Sequence, residues 1–173
     1  HTFNAMGLFH QHRPGMMCAV LEHDIYCEAI CDGRHLHPGT VRMLLACKGW
    51  DKVVAITDSI QAAGLPDGNY KLGVNDVVVV DGDAKLASTG VRAGSTLSQD
   101  TALRNLMAFT GRGAEDVLPL LTENPARLMG IFDRKGSIEA GKDADLVVLD
   151  EAWQVRRTVV GGKTVYQTGP NGK

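Results

Sequence analysis

Residues 25–58, IYCEAICDGRHLHPGTVRMLLACKGWDKVVAITD, decide the fold class. Two short apolar runs, 25–30 and 53–56, flank a stretch with helical spacing that starts at Pro38, a residue suited to a first helical turn. The resulting order of strand, loop, helix and strand is one βαβ unit. Strands that are apolar on both faces are typical of a parallel sheet covered on both sides. We therefore predict an α/β protein.

Each of the two predicted strands ends in a polar cluster, residues 32–37 after the first and residues 57–61 after the second. In parallel α/β folds, the chemistry lies where the carboxyl ends of strands meet loops. Asp58 follows the second strand directly, and a carboxylate there is close to low-dielectric surroundings and needs a partner. A catalytic or binding carboxylate is one interpretation, and a helix or turn cap is the other.

The histidines offer a second candidate constellation, and there are six of them: His1, His10, His12, His23, His35 and His37. Histidine with a nearby carboxylate is the smallest set of side chains that supports metal-assisted hydrolysis. His35 and His37 form an H-x-H pair, but this pair lies in a loop that leads into a helix, and no H-E-x-x-H is present. The spacing alone leaves both a metal site and ordinary surface or structural histidines open.

The rest of the chain predicts a hairpin region, several helices and a β-rich tail. We expect a short helix at 15–22, antiparallel strands at 70–72, 76–80 and 85–87, helices at 97–109, 114–121 and 124–130, and strands at 146–149, 155–160 and 164–166. Ser95 is the predicted N-cap of the helix at 97–109. Gly161-Gly162 is expected to form the turn between the last two strands.

Composition argues against several functional classes. The 18 basic and 20 acidic residues give a net charge of −2, and the basic residues form no dense cluster, so nucleic acid is not an expected partner. No apolar run approaches the roughly 20 residues of a membrane span. Cys27 and Cys31 lie about 13 Å apart along one predicted strand, too far for a disulfide. Reduced core thiols in a cytoplasmic protein are the expected state.

Five motifs, in order along the whole chain, carry a family resemblance. They are H-T-F-N-A-M at 1–6, D-G-R-H at 32–35, T-D at 57–58 with A-G-L-P-D-G at 63–68, A-G-S at 93–95, and N-P-A at 124–126 with the segment 136–146. The first four resemble segments of the N-acetylglucosamine-6-phosphate deacetylases, and the last is shared more widely among amidohydrolases. No single motif is decisive, but the ordered set is specific.

The resemblance implies the fold and the reaction. Residues 1–130 would be the C-terminal part of a metal-dependent-hydrolase (β/α)8 TIM barrel, from the end of strand six through strand eight. Residues 131–173 would be part of a small β-sandwich domain. The implied reaction is hydrolysis of the acetamide of N-acetyl-D-glucosamine 6-phosphate to D-glucosamine 6-phosphate and acetate. A divalent metal, Zn or Fe, would be the cofactor, and a homodimer the expected assembly.

The resemblance also implies roles for individual residues. Asp58 would be the catalytic acid/base and His1 a metal ligand. The implied substrate contacts are Asn4, Ala5, His35, Arg92, Ala93 and Gly94. The chain departs from the family at its R-E-P-G segment, because His12 stands where the phosphate-binding arginine is expected and Arg13 replaces the glutamate. Either Arg13 takes that role or the phosphate contact differs, which keeps a related substrate such as N-acetylgalactosamine 6-phosphate open.

The first residue is His1, and the family's remaining metal ligands precede this position. We therefore expect the chain to be one piece of a longer protein, inactive alone, with the missing N-terminal portion as its partner. Two barrel strands would leave open edges and exposed apolar faces. A non-catalytic fragment or binding module is the alternative, although the retention of both His1 and Asp58 argues against it.

Overall fold

The computed structural model describes residues 1–169, and within this range it has an α/β organisation. The helices are α1 (Gly15–Glu22), α2 (Pro38–Lys48), α3 (Gln99–Thr110), α4 (Ala114–Val117) and α5 (Glu123–Leu128), with a 3-10 turn at Leu118–Leu120. The strands are β1 (Cys27–Ile30), β2 (Val53–Ile56), β3 (Gly68–Leu72), β4 (Asn75–Val80), β5 (Asp83–Leu86), β6 (Leu146–Leu149), β7 (Val155–Val160) and β8 (Lys163–Gln167).

The predicted βαβ unit is confirmed. Strands β1 and β2 pair in parallel with Ile30 opposite Ile56, and α2 connects them. The first strand begins at Cys27 rather than at the expected Ile25, whose side chain is exposed and whose backbone N–H bonds to His23 in a turn. Because the strands are parallel and in register, the residues that follow Ile30 and Ile56 emerge at the same edge of the sheet.

The main core lies between this sheet and the helices. Its fully buried members come from both strands and from α2, α3, α4 and the 3-10 turn, and they include Cys27, Ala29, Val41, Leu44, Val53, Leu106, Val117 and Leu120. All four cysteines are free thiols, but the prediction of core thiols holds only for Cys27 and Cys31, because Cys18 is half-buried and Cys47 is exposed. Burial raises the pKa of the Cys31 thiol to about 12, so this thiol stays protonated and acts as a core side chain.

Strands β3, β4 and β5 form a separate antiparallel sheet, called here the hairpin sheet (residues 68–86), with its own small core. The turn between β4 and β5 is capped by Asp67, whose carboxylate accepts hydrogen bonds from the backbone N–H groups of Asp81 and Gly82. The strand boundaries agree with the prediction within two residues. The L-P-D-G motif thus holds the tip of the hairpin sheet in place.

Two helix predictions are wrong in detail. Helix α3 begins at Gln99, and Ser95 is not its N-cap, because the Ser95 hydroxyl donates to the Thr57 carbonyl instead. The helix expected at 114–121 is only the single turn α4 followed by the 3-10 turn. Pro119 accounts for the break, since proline has no N–H to donate and its ring clashes with the preceding helical turn.

Asn124, in the N-P-A motif, fixes the start of β2. Its side chain is 3% exposed, and its amide nitrogen donates to the carbonyl oxygens of Trp50 and Val53, each at 2.7 Å. Helix α5 carries this amide into a position where the loop and the strand would otherwise leave two carbonyl groups unpaired. The motif therefore has a structural role, at the end of the sheet opposite to Asp58.

Replacing Asn124 with alanine is expected to lower the free energy of unfolding by about 2–3 kcal/mol, because the buried Val53 carbonyl and the partly buried Trp50 carbonyl lose their donor. Urea and thermal unfolding of the full-length protein measure this change. The Asn69→Ala variant is the control, since Asn69 is exposed on β3. Equal stability of the two variants would contradict the anchoring role of Asn124.

The tail sheet, β6–β7–β8, is antiparallel and turns at Gly161-Gly162 as predicted. It contacts the main core through Leu149 and Trp153, and Arg104 of α3 donates to the Trp153 carbonyl at 2.9 Å. The last four residues of the predicted second domain, 170–173, lie outside the described residues. Within residues 1–169, none of the helices has the length and apolar character needed to cross a membrane.

Candidate active site

Asp58 lies two residues beyond β2, with its backbone in the left-handed region at φ +49° and its side chain exposed. Main-chain bonds fix this position: Ser95 N–H donates to the Asp58 carbonyl at 2.8 Å, and Ile60 N–H donates to the Ser95 carbonyl at 2.9 Å. No hydrogen bond or ion pair engages the carboxylate among residues 1–169. The cap role therefore finds no support, and the carboxylate is free to meet a water molecule or a ligand.

Gly94 approaches the Asp58 segment closely. Its φ is +61°, and a Cβ atom built there would lie 2.5 Å from Cγ2 of Ile60 and 3.0 Å from the Asp58 carbonyl oxygen. Only glycine allows the two segments to come this close. Ser95 and Ser59 continue the contact, since the Ser59 hydroxyl donates to the Leu97 carbonyl at 2.6 Å. We call residues 94–97 the strap, because they bind the strand end that carries Asp58.

His35 and Asp32 form a tight pair after β1. The Nδ1 atom of His35 lies 2.6 Å from Oδ2 of Asp32, and about one tenth of each side chain is exposed. Oδ1 of Asp32 accepts from the backbone N–H groups of Arg34 and His35, both at 2.8 Å. Burial acts to raise the pKa of Asp32, but the bonds from the His35 ring and from these backbone groups outweigh it, so the pKa lies below its ordinary value.

Arg92 is engaged by its own chain. Its Nε and Nη2 atoms donate to the two carboxylate oxygens of Asp83 at 2.7 and 3.0 Å, and Nη1 donates to the Arg34 carbonyl at 3.0 Å. This bidentate bond from Arg92 holds the pKa of Asp83 well below its usual range and raises the pKa of Arg92. Arg92 therefore joins the hairpin sheet to the loop after β1, and its neighbour Ala93 bonds to Ala84 of β5.

The N-terminal segment contacts β1 at Glu28, through the terminal ammonium group of His1 and the backbone of Thr2. The backbone N–H of Thr2 donates to the Glu28 carbonyl at 2.8 Å, and Asn4 N–H donates to the His1 carbonyl at 3.0 Å. Phe3 and Ala5 both have positive φ values, +74° and +56°. Such backbone is uncommon for residues other than glycine and clusters at ligand sites, which is compatible with the predicted substrate contacts at Asn4 and Ala5.

His12 and Arg13 lie apart from the strand ends, in an exposed loop at residues 7–14. The ring of His12 contacts His10, at 5.6 Å between centroids, and the Arg13 backbone N–H bonds to the His10 carbonyl. No hydrogen bond or ion pair among the described residues joins either side chain to Asp58, His35 or Arg92. The choice between His12 and Arg13 as the phosphate contact stays a prediction.

The described residues do not form a metal site by themselves. Among residues 1–169, no three or more histidine, cysteine, aspartate or glutamate side chains converge closely enough to hold a metal ion. The predicted ligand His1 is half-exposed, and its terminal ammonium group pairs with Glu28 at 3.1 Å. The metal centre implied by the resemblance therefore does not fit these residues alone.

The sequence did not predict the hydrogen-bond partners of several polar residues. The H-x-H pair divides into two functions, because His35 pairs with Asp32 whereas the His37 side chain accepts from Gly39 N–H at 3.0 Å and caps α2. Histidine directly before Pro38 was the available signal for the cap. No sequence pattern indicated that Asp83 pairs with Arg92, since Asp83 lies nine residues before Arg92, next to an ordinary hairpin turn.

Residues 2–165 match the family model described as the Amidohydrolase family. A curated relative from Escherichia coli (strain K12), a putative N-acetylgalactosamine-6-phosphate deacetylase, is 37% identical over 164 residues, which are 94% of this chain and 97% of that relative. The chain belongs to the amidohydrolase family.

Within this family, the chain is similar to sugar-phosphate deacetylases. The N-acetylglucosamine-6-phosphate deacetylase of Bacillus subtilis (strain 168) is 40% identical over 96% of this chain and 42% of its own length. A solved structure of a variant N-acetyl-D-glucosamine-6-phosphate deacetylase from Mycobacterium smegmatis, in complex with N-acetyl-D-glucosamine-6-phosphate, superposes with a TM-score of 0.89 at 36% identity. The superposition covers 95% of this chain and 44% of the mycobacterial chain. The chain thus spans less than half the length of these two relatives.

Proposed function

We propose that the protein hydrolyses the acetamide of N-acetyl-D-glucosamine 6-phosphate to D-glucosamine 6-phosphate and acetate. The observation that carries this proposal is the position of Asp58, a free carboxylate held by main-chain bonds at the carboxyl end of a parallel strand. Membership of the amidohydrolase family supports hydrolysis of an amide C–N bond. The names of the Bacillus and mycobacterial relatives supply the substrate.

Asp58 suits the proton transfers that this reaction needs. As general base it would take a proton from the attacking water, whose oxygen forms the new bond to the acetamide carbon. As general acid it would return that proton to the sugar nitrogen while the C–N bond breaks. Acetate and the free amine then leave, and the carboxylate is restored.

We further propose the site composition and the architecture implied by the resemblance. The family generally uses a divalent metal, and Zn or Fe is expected with His1 as one ligand and the others from outside this chain. His35, Asn4, Ala5, Arg92, Ala93 and Gly94 would surround the sugar. Residues 1–130 would form the C-terminal part of a (β/α)8 barrel, and residues 131–173 would belong to a β-sandwich. A homodimer in the cytoplasm and a need for the missing N-terminal portion complete the proposal.

N-acetylgalactosamine 6-phosphate is the second candidate substrate. One observation favours it, the name of the Escherichia coli relative. The position of His12 where the family's arginine is expected leaves the phosphate contact open for both sugars, since both carry the 6-phosphate. The two sugars differ only in the orientation of one hydroxyl group, so a single changed contact can reverse the preference.

Acetate release by the full-length, metal-loaded protein tests the proposal. We expect kcat/KM for N-acetylglucosamine 6-phosphate to exceed that for its galactosamine epimer and for the unphosphorylated sugar by at least about tenfold. A site built to bind a polar group discriminates against ligands that lack it, as the unphosphorylated sugar lacks the phosphate, or that direct it elsewhere, as the epimer directs its 4-hydroxyl. The opposite order for the two epimers would assign the second candidate. Absence of acetate release with all three compounds would overturn the deacetylase function.

A further inference from the structure

The peptide group that joins Arg34 to His35 is held at both ends. Its N–H, from His35, donates to Oδ1 of Asp32 at 2.8 Å within the same loop. Its carbonyl oxygen, from Arg34, accepts from Nη1 of Arg92 at 3.0 Å, and Arg92 lies 58 residues further along the chain. Because a peptide group is planar, these two bonds together fix its orientation. They therefore set the direction in which the His35 side chain leaves the backbone.

Arg92 can hold that peptide because the hairpin sheet fixes both its backbone and its side chain. Its backbone runs antiparallel to β5, in a bridge with Lys85. Its side chain is aligned by Asp83, whose two carboxylate oxygens accept from Nε and Nη2 at 2.7 and 3.0 Å. The guanidinium group is planar and rigid, so these two bonds decide where the remaining nitrogen, Nη1, points. Asp83 thus directs Nη1 at the loop after β1.

Two further bonds cross the same junction, and both end on main-chain carbonyl groups at the tip of the hairpin sheet. The Arg34 side chain donates to the carbonyl of Asp81 at 2.5 Å, and the Thr96 hydroxyl donates to the carbonyl of Gly82 at 2.6 Å. The side chain of Asp81 takes no part in these bonds. The hairpin sheet therefore contacts both the loop after β1 and the strap, and the bond from Arg92 is the one that acts on the peptide of His35.

We propose that Asp83 is a positioning residue for the loop after β1: it aligns the guanidinium group of Arg92, which in turn holds the peptide before His35 in place. This inference rests on the proposed function for the sugar that the loop would meet, but not for the link between the hairpin sheet and the loop. Arg92 then acts on the sugar through this peptide, whatever direct contact it also makes. A residue of the hairpin sheet thereby helps to order the site at the strand ends.

Hydrogen exchange of the full-length protein tests this link without any substrate. The Asp83→Asn variant loses the charge and one of the two acceptor oxygens, so the guanidinium group is no longer aligned. We expect the amide hydrogens of residues 32–37 to exchange at least about fivefold faster in this variant, with those of α2 unchanged. The matched control is Lys85→Met, since Lys85 also pairs with Asp83, at 3.0 Å, but makes no side-chain bond to the loop within residues 1–169. This control should leave the exchange of the loop unchanged.

The kinetic effect should fall on substrate binding more than on turnover. In Asp83→Asn, we expect KM for N-acetylglucosamine 6-phosphate to rise about tenfold and kcat to change less than about threefold, because the strap holds Asp58 independently. Arg92→Lys should show the same rise, since its single nitrogen keeps the charge beside Asp83 but cannot also hold the Arg34 carbonyl. Lys85→Met should leave KM unchanged. In an Arg92→Met background, adding Asp83→Asn should raise KM no further.

Unchanged exchange of residues 32–37 in both Asp83→Asn and Arg92→Lys would overturn the proposal. A further rise of KM when Asp83→Asn is added to Arg92→Met would also overturn it, because Asp83 would then act by a route that bypasses Arg92. If the wild type releases no acetate, the proposed function fails, whereas the exchange rates still decide whether Asp83 holds the loop through Arg92.

Discussion

The Asp58→Asn variant is expected to fold normally and to lose about 10³-fold in turnover, the range that a general acid/base contributes. The carboxylate accepts no hydrogen bond from residues 1–169, so its loss leaves no buried group unpaired. Asparagine also tolerates the left-handed backbone at this position. Acetate release under saturating substrate measures the effect, and circular dichroism and thermal unfolding verify the fold.

A suitable control is Asp81→Asn. Asp81 has nearly the same backbone conformation, φ +51° against +49° for Asp58, but it lies in the turn of the hairpin sheet. Its substitution should change turnover less than twofold. Near-normal turnover of Asp58→Asn would remove Asp58 from the mechanism, and equal losses in both variants would point to a backbone effect.

The Gly94→Ala variant is expected to have the second largest effect. A Cβ atom 2.5 Å from the Ile60 side chain and 3.0 Å from the Asp58 carbonyl forces the strap away from the strand end. A displacement near 1 Å of a catalytic group costs up to about 10²-fold in rate. Left-handed strain and overpacking should also lower the free energy of unfolding by about 2–4 kcal/mol.

Gly111→Ala separates these two contributions. Gly111 ends α3 at φ +68°, and a Cβ atom there would meet nothing within 4 Å. This control shares the backbone strain with Gly94→Ala but not the collision, so it should lose about 1–2 kcal/mol with turnover intact. Full activity of Gly94→Ala at the same stability as Gly111→Ala would show that the strap does not position Asp58.

The fold could be predicted where local pattern and tertiary structure agree. The two apolar runs around α2 gave the parallel pair because both strands are buried, and the turn at Gly161-Gly162 gave the last hairpin. The prediction erred at Ser95, where a polar residue ahead of a helix has the pattern of an N-cap. Its hydroxyl instead bonds to Thr57, 38 residues away, and no local pattern reports such a contact.

The sequence predicted which residues belong to the candidate site better than it predicted the hydrogen bonds between them. Asp58 and His35 follow from strand ends and from family resemblance. The bonds of Arg92 to Asp83 and to the Arg34 carbonyl depend on how the hairpin sheet folds over the loop after β1. Of the metal ligands that the resemblance implies, only His1 is among these residues, and its terminal ammonium group pairs with Glu28.

The strap has a consequence for how new specificities evolve in such enzymes. Asp58 is tied to residue 95 through backbone N–H and carbonyl groups, which require glycine at position 94 but do not involve the side chain of Ala93. The side chain at position 93 can therefore be exchanged while the aspartate keeps its place, whereas Arg92 holds the hairpin sheet through Asp83. Under the proposed function, single substitutions at this position change which sugar is accepted without moving the proposed proton-transfer group, so substrate preference and catalytic competence are separable traits.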